Sequence, residues 1–306
     1  MAVSKILMDH LFTYETLVHA VSGAAGATVA MTVFYPLDTI RSRLQVEEGR
    51  QSKSTVEMLR DLMDSEGFEG MYCGLSPVLQ SLWCSNFVYF YSFHGLRAVL
   101  SAGRKHSAGR DLMLASVAGV INVLLTTPMW VVNTRMKMQG AKSQHEAHQQ
   151  ALPAYKYKNI VDGLVTLYRE EGASALWSSA LPSIILVSNP SIQFMVYEAL
   201  KRRCEALGIT LSAGTAFSIG AISKCIATVL TYPLQLVQSK MRYNNDKRSM
   251  FAVMVYIVRN FGAAGLFKGL ESKLLQTVLT AALMFMAYEK ISSLVFKLMR
   301  LDKTKG

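Results

Sequence analysis

The chain has 306 residues, of which 51% are hydrophobic and 17% charged, with a formal net charge of +11 and a mean hydropathy of +0.24. A charged share below the roughly 25% usual in soluble domains argues against two water-soluble domains and for a polytopic membrane protein. The positive balance suits lipid headgroups, an anionic small molecule, or both, whereas no nucleic-acid-reading module is present.

The N-terminal stretch, residues 1–16, carries Lys5 beside Asp9 and Glu15, unlike an Arg-rich, acid-poor transit peptide, so targeting information is expected to be internal. An apolar helix is predicted over residues 14–45 with Pro36 inside it, then a short amphipathic surface helix at 55–65 and a second apolar helix at 76–98. The same order recurs twice. Helices at 111–139 and 212–242 enclose Pro128 and Pro233, surface helices follow at 158–170 and 249–260, and apolar helices at 180–202 and 270–296 close the repeats. Polar residues such as Asn122, Asn189 and Lys224 interrupt each apolar segment, so these helices must face a wet interior. Pro kinks a helix by removing one backbone hydrogen bond. The last residues, Lys303 to Gly306, are not an SKL-type address.

Two registers fix the repeat. Each proline is followed seven places later by a base: Arg43, Arg135 and Lys240. Downstream, Gly67, Gly172 and Gly262 each precede an aromatic residue by five places, Tyr72, Trp177 and Phe267. The proline-to-glycine intervals are 31, 44 and 29, so the second repeat carries an insertion, placed at the polar stretch 141–153. The expected architecture is an all-α membrane protein of six transmembrane helices in three pseudo-symmetric two-helix repeats, at about 14–100, 108–203 and 210–297. Short surface helices link each pair.

These residues resemble the mitochondrial carrier family over roughly residues 14–296. The family pattern, a proline with an acid at the second place and bases at the fifth and seventh, is complete in Pro36, Asp38, Arg41 and Arg43. The segments Ser85 to Tyr91, Leu124 to Lys142 and Gly269 to Phe285 look like a peroxisomal branch of that family. The resemblance implies a multi-pass peroxisomal membrane protein working by alternating access. Its implied cargo is a nucleotide-type anion such as coenzyme A, FAD, FMN, AMP, ADP or NAD. It further implies membrane lipids as partners, a receptor that imports peroxisomal membrane proteins, and a monomeric state. An inner-mitochondrial nucleotide or NAD carrier is the alternative within the family.

By the proline register, the gate toward the organelle interior comprises Asp38, Arg41, Arg43, Trp130, Asn133, Arg135, Gln235, Gln238 and Lys240. Trp130 and Gln235 stand where the family has acids, and Asn133 and Gln238 where it has bases. Asp38 and Arg41 belong to one repeat, so no ion pair is expected between repeats and this gate should rest on hydrogen bonds and packing. Arg43, Arg135 and Lys240 fit equally well as headgroup anchors. The cytosolic gate pattern, aromatic, acid, two residues, base, is complete in Tyr197-Glu198-Ala199-Leu200-Lys201. It is partial at His94 and Arg97 and at Glu289.

Lys224 is costly in mid-helix, about 2.5–3.5 kcal/mol, so it must meet polar company and is the candidate for phosphate binding. Its interval of eleven to Gln235 returns to the same helix face within about 20°. Asn122 and Asn133 have the same interval and are expected to share a cavity, although Asn122 serves equally well as a helix–helix hydrogen bond. Seven residues past Gly74, Ser179 and Gly269 lie Ser81, Leu186 and Gln276, which match the family's midplane contact positions. Leu186 with Val187 could pack a base. Lys273 could meet cargo or pair with Glu271, and Gly119 permits close helix approach.

A membrane-embedded enzyme or acyl-handling protein is the competing class. No GxGxxG or GxxxxGK[ST] loop occurs, and His145-Glu146-Ala147-His148 has the wrong spacing for a zinc HExxH helix. No catalytic cluster is visible, and the reading assigns no catalytic residue, metal or cofactor. Cys73, Cys84, Cys204 and Cys225 show no CxxC spacing and read as reduced packing residues.

Overall fold

The computed structural model describes residues 28–46, 54–100, 108–139, 157–209, 212–244 and 248–283. The chain divides into two compact units. One comprises residues 1–35 and 275–306, the other residues 36–274. In the first, residues 28–33 are helical and Thr32 Oγ1 donates back to the Thr28 carbonyl at 2.8 Å. The second carries most of the described structure and all the contacts discussed below.

In chain order the helices are α1 (Tyr35–Val46), α2 (Thr55–Met71), α3 (Leu75–Leu100), α4 (Ala108–Met138), α5 (Ile160–Glu171), α6 (Ala173–Leu176), α7 (Ala180–Leu186), α8 (Asn189–Ala206), α9 (Ala213–Asn244) and α10 (Met250–Phe261). A 3-10 turn, Ala263–Phe267, leads to α11 at 270–283. Pro128 and Pro233 lie inside α4 and α9, as their spacing predicts. Among the described residues, Gly109–Met138, Ala173–Ala206 and Gly214–Asn244 are long and apolar enough to cross a membrane. The pair Met250–Phe261 and Ala263–Leu283 makes a fourth if it is one bent span. Large apolar side chains at Trp83, Phe87, Phe90 and Tyr91 line an exposed stripe of α3, which suits lipid better than water.

The three repeats are built alike. Each surface helix begins at a side-chain cap: Ser54, Asn159 and Ser249 accept from the backbone N–H of Glu57, Asp162 and Ala252. Ser54 and Glu57 form a full capping box. Four and eight residues past each cap, Met58 and Leu62, Gly163 and Leu167, and Val253 and Ile257 turn one face inward. They meet Ile40 and Leu44, Val132 and Met136, and Val237 and Met241, which stand four and eight residues past the prolines. Three separate buried clusters result, one per repeat. Gly67, Gly172 and Gly262 end the amphipathic segments at φ of 69°, 83° and 70°, a backbone that residues with a Cβ rarely adopt.

Two predicted elements differ, the first being the helix expected over 14–45, which a turn at Phe34 interrupts just before Pro36. The helix expected over 180–202 is broken between α7 and α8 by a turn at Val187 and Ser188, whose N–H groups donate three residues back to Ile184 and Ile185. Pro190 has no N–H to continue the α ladder, and the Ser188 hydroxyl donates to the Ile185 carbonyl at 2.7 Å. The ends of the helices expected at 14–45 and 270–296, the insertion 141–153 and Glu289 lie outside the described residues.

Candidate transport site

The bases seven places after the prolines are not headgroup anchors. Arg43 is 1% exposed and grips Glu66 through both nitrogens, with Nη2 to Oε2 at 2.7 Å. Arg135 holds Glu171 in the same bidentate way, Nη2 to Oε2 at 2.9 Å. Both acids directly precede the register glycines. In the third repeat Phe261 takes that place, and Lys240 lies over its ring at 5.7 Å. The two sequence registers of each repeat are thus tied together inside it.

The expectation that no ion pair joins two repeats is overturned. Lys137 of the second repeat donates to Asp38 of the first and, at 3.3 Å, to Ser42 Oγ. Arg41 stands 3.8 Å from Asp38 within its own repeat. Lys137 lies nine residues after Pro128, and the equivalent residues behave alike. Gln45 donates to Tyr232 Oη at 3.1 Å, linking the first repeat to the third. Arg242 donates from Nε to Ser179 Oγ at 3.1 Å and lies 5.7 Å over the Trp130 ring, linking the third to the second. A ring of ninth-place residues therefore crosses every repeat boundary. Its signal was in the sequence: places two and nine lie seven residues apart, within about 20° of two helical turns, so they share a face.

The other expected gate residues take smaller parts. Gln238 donates to Ser183 Oγ at 2.7 Å, a contact between the third and second repeats, while Gln235 turns back to Thr231 at 3.0 Å. Asn133 is 2% exposed and neither atom of its amide finds a partner. At the opposite helix ends Arg97 of α3 pairs with Asp111 of α4 at 4.0 Å, an acid that the repeat pattern does not contain. His94 is exposed and stacks beside Phe90, and Glu198 and Lys201 are half-buried on α8.

A cavity of about 290 Å³ opens between α3, α4, α7, α8 and α9. Asn122, Leu186, Val187, Trp130, Gln238 and Arg242 are among its walls. Asn122 makes the helix–helix bond as well: its Nδ2 donates to Ser85 Oγ at 3.0 Å, and Ser85 donates back to Oδ1 at 3.1 Å. Asn133, expected in the same cavity, is not among the walls, and neither are Ser81, Lys224 and Lys273. Ser81 is fully buried with its hydroxyl unpartnered, and Gln276, in the other unit, is buried with Oε1 unpartnered. A Cβ on Gly119 would stand 2.6 Å from Val187 Cγ1, so the close approach expected of this glycine is real.

Lys273 resolves toward the gate and not toward Glu271, which is exposed: Asp38, Arg41, Lys137 and Lys224 are all within its electrostatic reach. Three cations, Arg41, Lys137 and Lys273, thus face one carboxylate. Among the described residues no cluster of His, Cys, Asp or Glu could hold a metal.

The family profile described as mitochondrial carrier protein matches three successive segments, residues 12–103, 104–206 and 210–298. The chain belongs to the mitochondrial carrier family. Its three matched segments are the three repeats described above, and six transmembrane helices in two-helix repeats is the fold of this family member. The chain is 50% identical to mouse peroxisomal membrane protein PMP34 over 97% of its own length and 99% of the relative's. It is 30% identical to the Arabidopsis thaliana peroxisomal nicotinamide adenine dinucleotide carrier over 90% and 95% of the two chains. It is 31% identical to peroxisomal adenine nucleotide carrier 1 of Glycine max over 91% of each.

Proposed function

We propose that this carrier moves anionic nucleotide-type cofactors, namely coenzyme A, FAD, FMN, AMP, ADP or NAD, across the peroxisomal membrane by alternating access. The observation that carries this reading is the cation excess around Asp38, where Arg41, Lys137 and Lys273 face a single acid and Lys224 lies within electrostatic reach of Lys273. A pathway so charged lowers the energy of a phosphate and raises that of a cation. The likeness, over nine-tenths of each chain, to peroxisomal carriers of adenine nucleotides and NAD supports the cargo class and the membrane.

Lys224 makes no hydrogen bond or ion pair among the described residues, which suits a mobile charge awaiting cargo. Leu186 and Val187 offer an apolar wall to a base, and Asn122 lies in the same cavity. The ring of contacts across the repeat boundaries is what must break for the pathway to open at that end, and cargo drives the switch by binding the two states unequally. Because one chain closes that ring by itself, a monomer supplies a whole pathway.

Uptake of labelled AMP, NAD and coenzyme A into liposomes holding the purified chain tests the reading. Saturable uptake of at least one of them supports it, and equal uptake of AMP and adenosine contradicts it.

A further inference from the structure

We infer that Arg242 is a cargo-binding residue, which receives a phosphate group in the cavity lined by Trp130, Leu186 and Val187. The inference rests on the nucleotide reading above and assigns it a residue outside the cargo positions expected from the sequence.

Arg242 is the one charged side chain among the described residues that line this cavity, and no carboxylate partners it among the described residues. A guanidinium has five donors in one plane. Here Nε is used on Ser179 and one face is covered by Trp130, while the two Nη groups have no protein acceptor among the described residues. Such an arrangement fixes the plane of the fork and leaves the edge that pairs two phosphate oxygens at once. The indole attracts the cation without neutralising it.

The same cavity sets an apolar pair, Leu186 and Val187, and hydroxyl and amide groups from Ser85, Asn122, Ser183 and Gln238 beside that cation. A phosphate linked to a flat apolar-faced base fits this mixture; a free sugar or a simple dicarboxylate would leave the apolar wall without use. Arg242 also belongs to the ring of ninth-place residues. A phosphate that draws it from Ser179 and Trp130 loosens a contact between the third and second repeats, which links cargo arrival to opening.

The test compares Arg242→Gln and Arg242→Lys in liposomes. Both lose the Nε bond to Ser179, but only Lys keeps the charge. The expected result is that Gln raises the AMP concentration for half-maximal uptake by roughly tenfold or more, the scale of one lost charge-assisted hydrogen bond, whereas Lys recovers most of it. Equal behaviour of the two variants, or of Gln and the parent, overturns the inference.

Should the variants not fold, modification of the unaltered protein by phenylglyoxal, followed by mass spectrometry at Arg242, decides the matter. AMP and inorganic pyrophosphate should slow modification and adenosine should not; no slowing by either anion overturns the inference. If pyrophosphate protects Arg242 while the protein moves no nucleotide, the anion site stands and the nucleotide reading fails.

Discussion

Lys137 of the second repeat closes on Asp38 of the first, and this is the ion pair that the fifth-place residues of the proline motif do not supply. Asp38 also faces Arg41 and Lys273. Removing Lys137 therefore leaves the acid compensated, whereas removing the acid leaves three cations facing one another. Asp38→Asn is expected to cost about 3–5 kcal/mol, the usual cost of breaking a buried pair, and Lys137→Met distinctly less. Thermal unfolding in detergent measures both; equal losses would show that the surrounding cations are of no account.

The ties within the repeats differ in kind. Glu66→Gln and Glu171→Gln each leave a buried arginine short of its charged acceptor and should destabilise by about 2–4 kcal/mol. Phe261→Ala removes a half-exposed ring from over Lys240 and should cost only about 1 kcal/mol. The ordering, read from melting temperatures of the three variants, fails if the third repeat proves as sensitive as the other two.

Asn133 is buried with both amide atoms unpartnered, an arrangement that burdens the state described here by about 1–3 kcal/mol. Asn133→Leu should raise the melting temperature and, by favouring this closed state, slow transport. A variant that is less stable than its parent would mean that the amide is satisfied.

Much of this was legible from spacing alone. Pro36, Pro128 and Pro233, with Gly67, Gly172 and Gly262, place the three repeats and their surface helices, because helix periodicity and left-handed backbone are local properties. The partners of Arg43 and Arg135 were not legible, since the registers of proline and glycine give no sign of meeting until the chain folds back. Lys137 and Arg242 share a helix face with Trp130 and Gln235, the second-place equivalents of Asp38, and could have been found by extending the motif one further turn. The break at Val187 and Ser188 was signalled by Pro190, which was outweighed by the apolar run around it. Lys273 could not be assigned at all from order, because its choice between Glu271 and Asp38 is tertiary.

Gly119 lets α4 approach the turn after α7. Gly119→Ala puts a Cβ 2.6 Å from Val187 Cγ1 and should reduce transport severalfold, since overpacking costs roughly 1–3 kcal/mol. Adding Val187→Ala should restore part of the loss. Uptake assays on the single and double variants check this, and an additive further loss would show that Val187 matters for cargo more than for packing.

Lys224 lies in mid-helix without a partner among the described residues, at a cost that a structural role does not explain. Lys224→Ala should raise the half-saturating concentration of phosphorylated cargo while leaving the protein folded in the membrane. Unchanged kinetics in a well-inserted variant would remove Lys224 from the pathway.

The pathway is proposed to select phosphate-bearing cargo. Initial uptake of radiolabelled AMP and adenosine into the same liposomes, corrected for protein-free vesicles, tests it most directly. Saturable AMP uptake with adenosine at the level of protein-free vesicles is the predicted result; adenosine entering as fast as AMP would contradict it.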